Sequence, residues 1–366
     1  MQTASERDLL ARFHIDGALL GGTLLICALG LMVLYSASGE SRAVVGAQAM
    51  RMLLGLLAMC LIAQISPGKL ARLAPAFYLL GTLLLVIVAF IGIGRGSQRW
   101  LDLGVIRFQP SEIMKLAVPL TVAWFLNDKL LPPRLPVVLL VLTAILMPTA
   151  LVAEQPDLGT AILIMVPGLL VLFLAGLGWR WIGVAAALAC AAAPLGWYAM
   201  HDYQRQRVLT LLDPTQDPLG TGYHIIQSII AVGSGGWTGK GWLNGTQSHL
   251  EFLPERATDF IFAVYCEEFG LLGVLVMLAA YSLVLVRGMQ IALQAQDTFG
   301  RLVAASLSIT FSVYIFVNMG MVTGQLPVVG VPLPLVSFGG TSLVTLMMGF
   351  GILMSIQTHR RFIVDS

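Results

Sequence analysis

Charge is the scarcest commodity in this sequence. Of 366 residues, 21 are Lys or Arg and 19 are Asp or Glu, so 11% are charged while 57% are hydrophobic. Soluble domains carry about 25% charge, and the shortage excludes one here. An excess of either sign is missing too. The formal net charge of +2 is too small to draw a polyanion, so nucleic acid is excluded as a partner. Cysteine is confined to Cys27, Cys60, Cys190 and Cys266, each in an apolar stretch and none in a CxxC pair. That spacing excludes a disulfide framework and a zinc site, and leaves four small core residues. Internal repeats, low-complexity tracts and cofactor motifs are also lacking. The glycines of "GSGGWTGKG" (233–241) follow no strand, so they do not make a phosphate loop.

What the sequence has in abundance is long apolar runs. Stretches of about 18 residues or more recur along the whole chain, as transmembrane helices require. The expected fold is an all-α polytopic membrane protein, a single integral domain over 1–366. About ten spans are readable, near 15–35, 46–65, 74–94, 111–127, 135–153, 158–176, 180–199, 260–286, 301–323 and 335–357. The first follows a polar start and exceeds a signal peptide's apolar core, so it reads as an uncleaved span. The fourth is short: Ser111–Leu126 makes about 24 Å of helix, below the ~30 Å hydrocarbon core. Its first turn must lie at or inside the membrane edge.

Lys and Arg set the orientation. With the N-terminus inside, every inner segment carries positive charge, among them Lys69 and Arg72, Lys129 and Arg134, Arg287, and Arg360 with Arg361. Both termini come out cytoplasmic. The larger connection between spans seven and eight, about 200–258, comes out extracytoplasmic. Within it "GYHIIQSIIAV" places Ile225, Ile226, Ile229, Ile230 and Val232 on one helical face, the pattern of a short helix lying on the outer leaflet.

Charged residues in or beside a membrane are expensive and suggest function, and here they gather at the outer ends of spans four, six, eight and ten. Span four opens "FQPSEIMK": Ser111 can cap it after Pro110, and Glu112 and Lys115 stand three apart, where an ion pair can form. Span six opens "EQPDLGTA", with Asp157 either an N-cap or a carboxylate at the mouth of a cavity. The loop before span four holds Arg95, Arg99 and Arg107 against the positive-inside trend. Arginine forks suit phosphates, whether of a ligand or of lipid headgroups. Span eight begins in "FLPERATDFIFAVYCEEFG", which stacks Glu255, Asp259, Glu267 and Glu268 along the outer half of one helix. Before span ten, "GQLPVVGVPLPLVSFGGTS" breaks helical structure beside the membrane, a pattern tolerated where backbone lines a cavity. Ser337, Thr341 and Ser342 can add hydroxyls there. Ion-coupled transporters keep ionisable residues nearer the midplane. This pattern suggests an outward-facing site for an amphipathic anion, and a lipid with a polar headgroup fits.

The stretches "FLPERATDFIFAVYCEEFG", "FQPSEIMK", "EQPDLGTA", "GTQSHLEF" and "PLPLVSFGGTS", in that fold, resemble the SEDS family (shape, elongation, division and sporulation), and most closely its rod-shape members. The resemblance covers nearly the whole chain. Ala257 stands where histidine is expected and Phe338 where tyrosine is common. The resemblance implies a peptidoglycan glycosyltransferase of the cytoplasmic (inner) membrane, polymerising lipid II at the outer face and releasing undecaprenyl diphosphate. Its implied partners are a class B penicillin-binding protein and other elongation-complex proteins. Asp259 matches the family's essential aspartate, and Glu112, Lys115 and Asp157 match further positions of importance. An inverting transfer needs one base at the acceptor hydroxyl and positive charge at the leaving diphosphate. Asp259 is the expected base, and Arg99, Arg107, Lys115, Lys240 and Arg256 are candidates for the diphosphates. A divalent cation, Mg or Mn, would find possible ligands in Asp259, Glu255 or Asp157. A lipid II flippase, or more remotely an ion-coupled solute transporter, would use the same cavity without this chemistry.

Overall fold

The computed structural model describes residues 12–93, 99–102, 104, 107–200, 202–217, 220–246 and 255–360. Apolar runs become helices because a chain in hydrocarbon must satisfy its backbone internally. In order they are α1 (Gly17–Ala37), α2 (Arg42–Ala63), α3 (Pro67–Ile91), α4 (Pro110–Asn127), α5 (Leu135–Glu154), α6 (Leu158–Leu174), α7 (Trp179–Ala199), α8 (Asp202–Leu212), α9 (Thr221–Ser234), α10 (Ile261–Gln294), α11 (Thr298–Val322) and α12 (Thr341–Thr358). A two-stranded hairpin pairs β1 (Leu101–Asp102) with β2 (Arg107–Phe108) just before α4.

Each helix expected from an apolar run is present. Among the described residues, seven of them (α1, α2, α3, α5, α10, α11 and α12) are long and apolar enough to cross a membrane. Helix α6 has 17 residues, and α4 carries Glu112 and Lys115 within its first two turns. The outer surface is as greasy as the core. Leu53, Leu57 and Leu61 of α2 and Leu79, Leu83 and Phe90 of α3 are exposed, and so is every described side chain of α7. An apolar exterior on this scale suits hydrocarbon and not water. Inside, α2 packs on α12, α10 on α11 and α1, and α3 on α4.

Local chemistry moved several boundaries. Helix α3 starts at Pro67, ahead of the apolar run, because proline at the first helical position costs nothing and draws "PGKLARL" into the helix. Helix α4 starts at Pro110 with Gln109 as N-cap, so Ser111 is inside the helix and does not cap it. Helix α9 splits its isoleucines: Ile225, Ser228 and Ala231 face inward while Ile229 and Ile230 are exposed. Ser228 explains the split, since its hydroxyl reaches Val322 O at 2.8 Å and turns that face to α11.

Helix α10 is broken at Gly270, whose φ of 59° and ψ of −161° are not helical. The freed groups pair with the glycine-rich turn. Lys240 N and Gly241 N donate to Glu267 O and Glu268 O, each at 3.0 Å, and Gly236 O and Trp237 O accept from Leu271 N and Leu272 N, also at 3.0 Å. A side chain at residue 270 would place its Cβ 2.4 Å from Gly239 N.

Candidate functional site

Asp259 sits in the turn 255–260 that leads into α10, and three neighbours fix that turn. Asn318 Nδ2, from α11, donates to Asp259 O at 2.9 Å and to Val331 O at 2.7 Å. Ser337 Oγ donates to Thr258 O at 2.6 Å. Phe338 N donates to Ala257 O at 2.8 Å. Ala257 therefore takes part in fixing this turn through its backbone. Phe338 lies under the Arg51 guanidinium, 4.2 Å from ring centre, a face-on contact for which a ring suffices.

The Asp259 carboxyl is pushed up to about 6, by burial first and by the Glu255 charge second, with the Arg207 guanidinium pulling the other way. Among the described residues no donor hydrogen-bonds the carboxylate, so nothing anchors its ionised form beyond Arg207. It lies next to Gly330: a Cβ built there would be 3.6 Å from Asp259 Oδ2.

Gly330 opens onto a cavity of about 380 Å³. Asp259 is not itself part of the wall. The wall brings together Arg99, Gln109, Glu112 and Lys115, Asp157, Arg207, Thr310 and Tyr314, the segment 329–335, and Ser337 with residues 339–343. Elements distant in sequence thus meet around one space.

The i,i+3 pair forms as the spacing implies: Lys115 Nζ lies 2.6 Å from Glu112 Oε1, with both side chains largely buried. Lys115 also faces the Tyr314 ring at 5.8 Å. Asp157 fills both roles open to it in the sequence. It caps α6, accepting from Thr160 N at 3.1 Å, and it faces the cavity, where it pairs with Arg99 Nη1 at 3.3 Å. Arg99 also donates to Gln155 O at 3.0 Å and to Pro156 O. One guanidinium therefore holds the whole bend between α5 and α6.

Other candidates fall elsewhere. Lys240 lies outside the wall and pairs with Glu267 at 2.7 Å; Glu267, fully buried, also accepts from Thr246 N and Oγ1 at 2.9 and 3.0 Å. Glu268 accepts from Ser36 Oγ of α1. These two acids tie α10 to its neighbours. Glu255 is exposed, accepts from Thr258 Oγ1 at 2.6 Å, and acts on Asp259 through its charge. Arg256 is half-buried near Gly39. The Arg95 position, the Arg107 side chain and most of "GTQSHLEF" lie outside the described residues. Among the described residues no three His, Cys, Asp or Glu side chains converge on a possible metal.

Sequence reasoning missed Arg207, Thr310 and Tyr314. The first had one signal, the polar helix "DYQRQRVLTLL" inside an apolar chain. The other two are polar side chains in a helix that otherwise reads as a plain span.

The fold defines an integral membrane protein with a charged cavity built where several helices end. The chain belongs to the FtsW/RodA/SpoVE family of cell cycle proteins, which matches residues 18–362 and bears out the resemblance read from its motifs. It is 56% identical to the peptidoglycan glycosyltransferase MrdB of Escherichia coli (strain K12) over 357 residues, 97% of this chain and 96% of that one. It is 33% identical to the stage V sporulation protein E of Bacillus subtilis (strain 168), covering 93% and 96%. Among solved structures it is similar to a chain of a peptidoglycan synthase complex that coordinates polymerization and crosslinking, with TM-score 0.82, 34% identity, and 93% and 97% covered. It is also similar to the rod shape determining protein RodA of Thermus thermophilus, with TM-score 0.70, 29% identity, and 93% and 96% covered.

Proposed function

We propose that the chain is a peptidoglycan glycosyltransferase, polymerising lipid II into glycan strands at the outer face of the cytoplasmic membrane during elongation and rod-shape maintenance. The observation that carries this reading is Asp259, a carboxylate raised to about 6 beside a cavity that holds Arg207, Arg99 and Lys115. Close relatives named peptidoglycan glycosyltransferases support it.

Asp259 takes the proton of the acceptor's 4-hydroxyl as that oxygen attacks the anomeric carbon of the lipid-linked chain. A β-1,4 bond forms with inversion, and undecaprenyl diphosphate leaves. A base near 6 is ionised at neutral pH yet basic enough to matter. The diphosphate needs no acid, only cations: Arg207 on the Asp259 side, and Lys115 with Arg99 across the cavity. Glu112 and Asp157 hold those two cations in place. Lys240, engaged with Glu267, positions the glycine-rich turn instead. A divalent cation, magnesium or manganese, would supply further charge at the diphosphate, with Asp259, Glu255 or Asp157 as its ligands.

The ten long helices are then ten spans with both termini cytoplasmic, and α8 and α9 belong to the outer connection. The similarity to a chain of a synthase complex that coordinates polymerization and crosslinking supports a class B penicillin-binding protein as partner. Labelled lipid II and the purified protein test the reading. Wild type yields glycan strands, and Asp259→Asn yields none while melting as a folded protein. Normal polymer from that variant refutes the base. Movement of lipid II across liposomes without strands would make the protein a flippase.

A further inference from the structure

The end of the bundle remote from Asp259 carries a second charged cluster. From Ile261 to Arg287, α10 advances roughly 26 residues, about 39 Å of helix at 1.5 Å per residue, slightly less for the break at Gly270. A bilayer with its headgroups is about 40–45 Å thick. Arg287 therefore stands at headgroup depth on the face opposite the cavity.

Arg287 is well satisfied there. Its Nη2 lies 2.6 Å from Asp16 Oδ2, its Nε reaches both Asp16 oxygens, and its Nη1 reaches Gln290 Oε1 at 3.2 Å. Arg360, two residues past α12, is not. Its Nη2 donates to Gln294 Oε1 at 2.9 Å and Gln357 Oε1 at 2.5 Å. Its Nε is buried with no acceptor, and among the described residues it forms no ion pair. Burial and then the Arg287 charge work against the Arg360 cation, and Asp16, the one acid that helps, is already held by Arg287. Arg360 as a whole is only half-buried, so its guanidinium is short of an acceptor yet within reach of one from outside. Beside it, His14 stacks on His359 with ring centres 3.9 Å apart, and His14 Nδ1 lies 3.2 Å from Thr358 Oγ1. This contact fastens the start of α1 to the end of α12 beside Arg360.

The geometry points to a phosphate-binding site between these ends of α1, α10 and α12, with Arg360 as its principal cation, occupied by the headgroup of an anionic phospholipid of the inner leaflet. Guanidinium forks match phosphate oxygens. Basic pockets between membrane helices on the cytoplasmic side are suited to such headgroups. Depth favours a lipid over a soluble phosphate ester, although both carry the same chemistry. The site shares no residue with the cavity and is independent of glycosyl transfer.

The test is native mass spectrometry of the full-length protein released from bilayers of phosphatidylcholine with a minority of phosphatidylglycerol. Wild type should retain phosphatidylglycerol beyond its share of the bilayer. Arg360→Gln should lower that retention about fivefold, the effect of one basic group at a membrane surface. Arg360→Lys, which keeps the charge and loses the fork, should fall between the two. Retained lipid no richer in phosphatidylglycerol than the bilayer overturns the site without recourse to any variant. Equal retention by wild type and a folded Arg360→Gln does the same. Inorganic phosphate or glycerol phosphate displacing the lipid at equal concentration would overturn the lipid assignment and leave a site for a soluble anion.

Discussion

Ser337 and Thr258 are joined by a hydrogen bond of 2.6 Å, hydroxyl to carbonyl, and Ser337 Oγ in turn accepts from Leu333 N at 2.8 Å. One small side chain thus pins the segment before α12 to the turn that carries Asp259. Ser337→Ala removes both bonds and leaves the Leu333 N–H without its acceptor, at a cost of about 1–3 kcal/mol. The expected variant melts at lower temperature and polymerises more slowly, with kcat reduced more than KM, because the proposed base Asp259 loses register while the cavity's cations stay. Lipid II titrations in the polymerisation assay measure that split. An unchanged kcat would deny the pin any catalytic role.

The raised carboxyl of Asp259 gives two dependences on pH. As a base it must be ionised, so kcat should rise with pH and level off above about 6, and Asp259→Glu should shift that limb. For stability the sign is reversed. Because the folded value of about 6 exceeds the ordinary 3.8, ionisation in the folded state is disfavoured. The contribution is fully present below 3.8 and is lost as pH rises through 6. Asp259→Asn should therefore melt at or above wild type at pH 7.5, and its advantage should vanish below about pH 4. A variant that melts lower at pH 7.5 would mean that the ionised carboxylate is held by partners.

Glu112 and Lys115 form a buried pair at 2.6 Å. Removing one partner strands the other charge, at about 3–5 kcal/mol, whereas removing both is often nearly neutral. Lys115→Met alone should melt well below wild type. The double variant Glu112→Gln/Lys115→Met should recover most of the loss yet make little polymer. Recovery of activity together with stability would reduce the pair to a structural contact within α4.

Gly270→Ala places a methyl carbon 2.4 Å from Gly239 N at a φ of 59°. Neither the backbone nor the glycine-rich turn can yield cheaply. The variant is expected to lose several kcal/mol, with the strain and clash both acting, and to yield little folded protein in detergent by size-exclusion chromatography. A normal yield would show that α10 can run straight.

Much of this was written in the residue order. Ten apolar runs marked ten helices, and the scarce charges marked the ends that meet. The Glu112–Lys115 spacing foretold its own contact. What pattern could not supply was pairing across distance. Nothing in "GKG" reveals that Lys240 belongs to Glu267, because a loop lysine looks equally free beside any acid. Thr310 and Tyr314 were invisible since one hydroxyl per turn leaves an apolar helix readable as lipid-facing. The Ile229 and Ile230 face of α9 was misplaced because four isoleucines and Val232 fit a stripe by periodicity, and only the Ser228 bond to Val322 decides which side turns inward.

Asn318 spends both hydrogens of its side-chain amide on backbone carbonyls, one at Asp259 and one at Val331. Those two protons can trade with deuterium only when the turn lifts away from α11, since an engaged amide exchanges through opening. Their exchange rate is therefore a clock for the motion of the turn that carries Asp259, readable in resting protein with no substrate present.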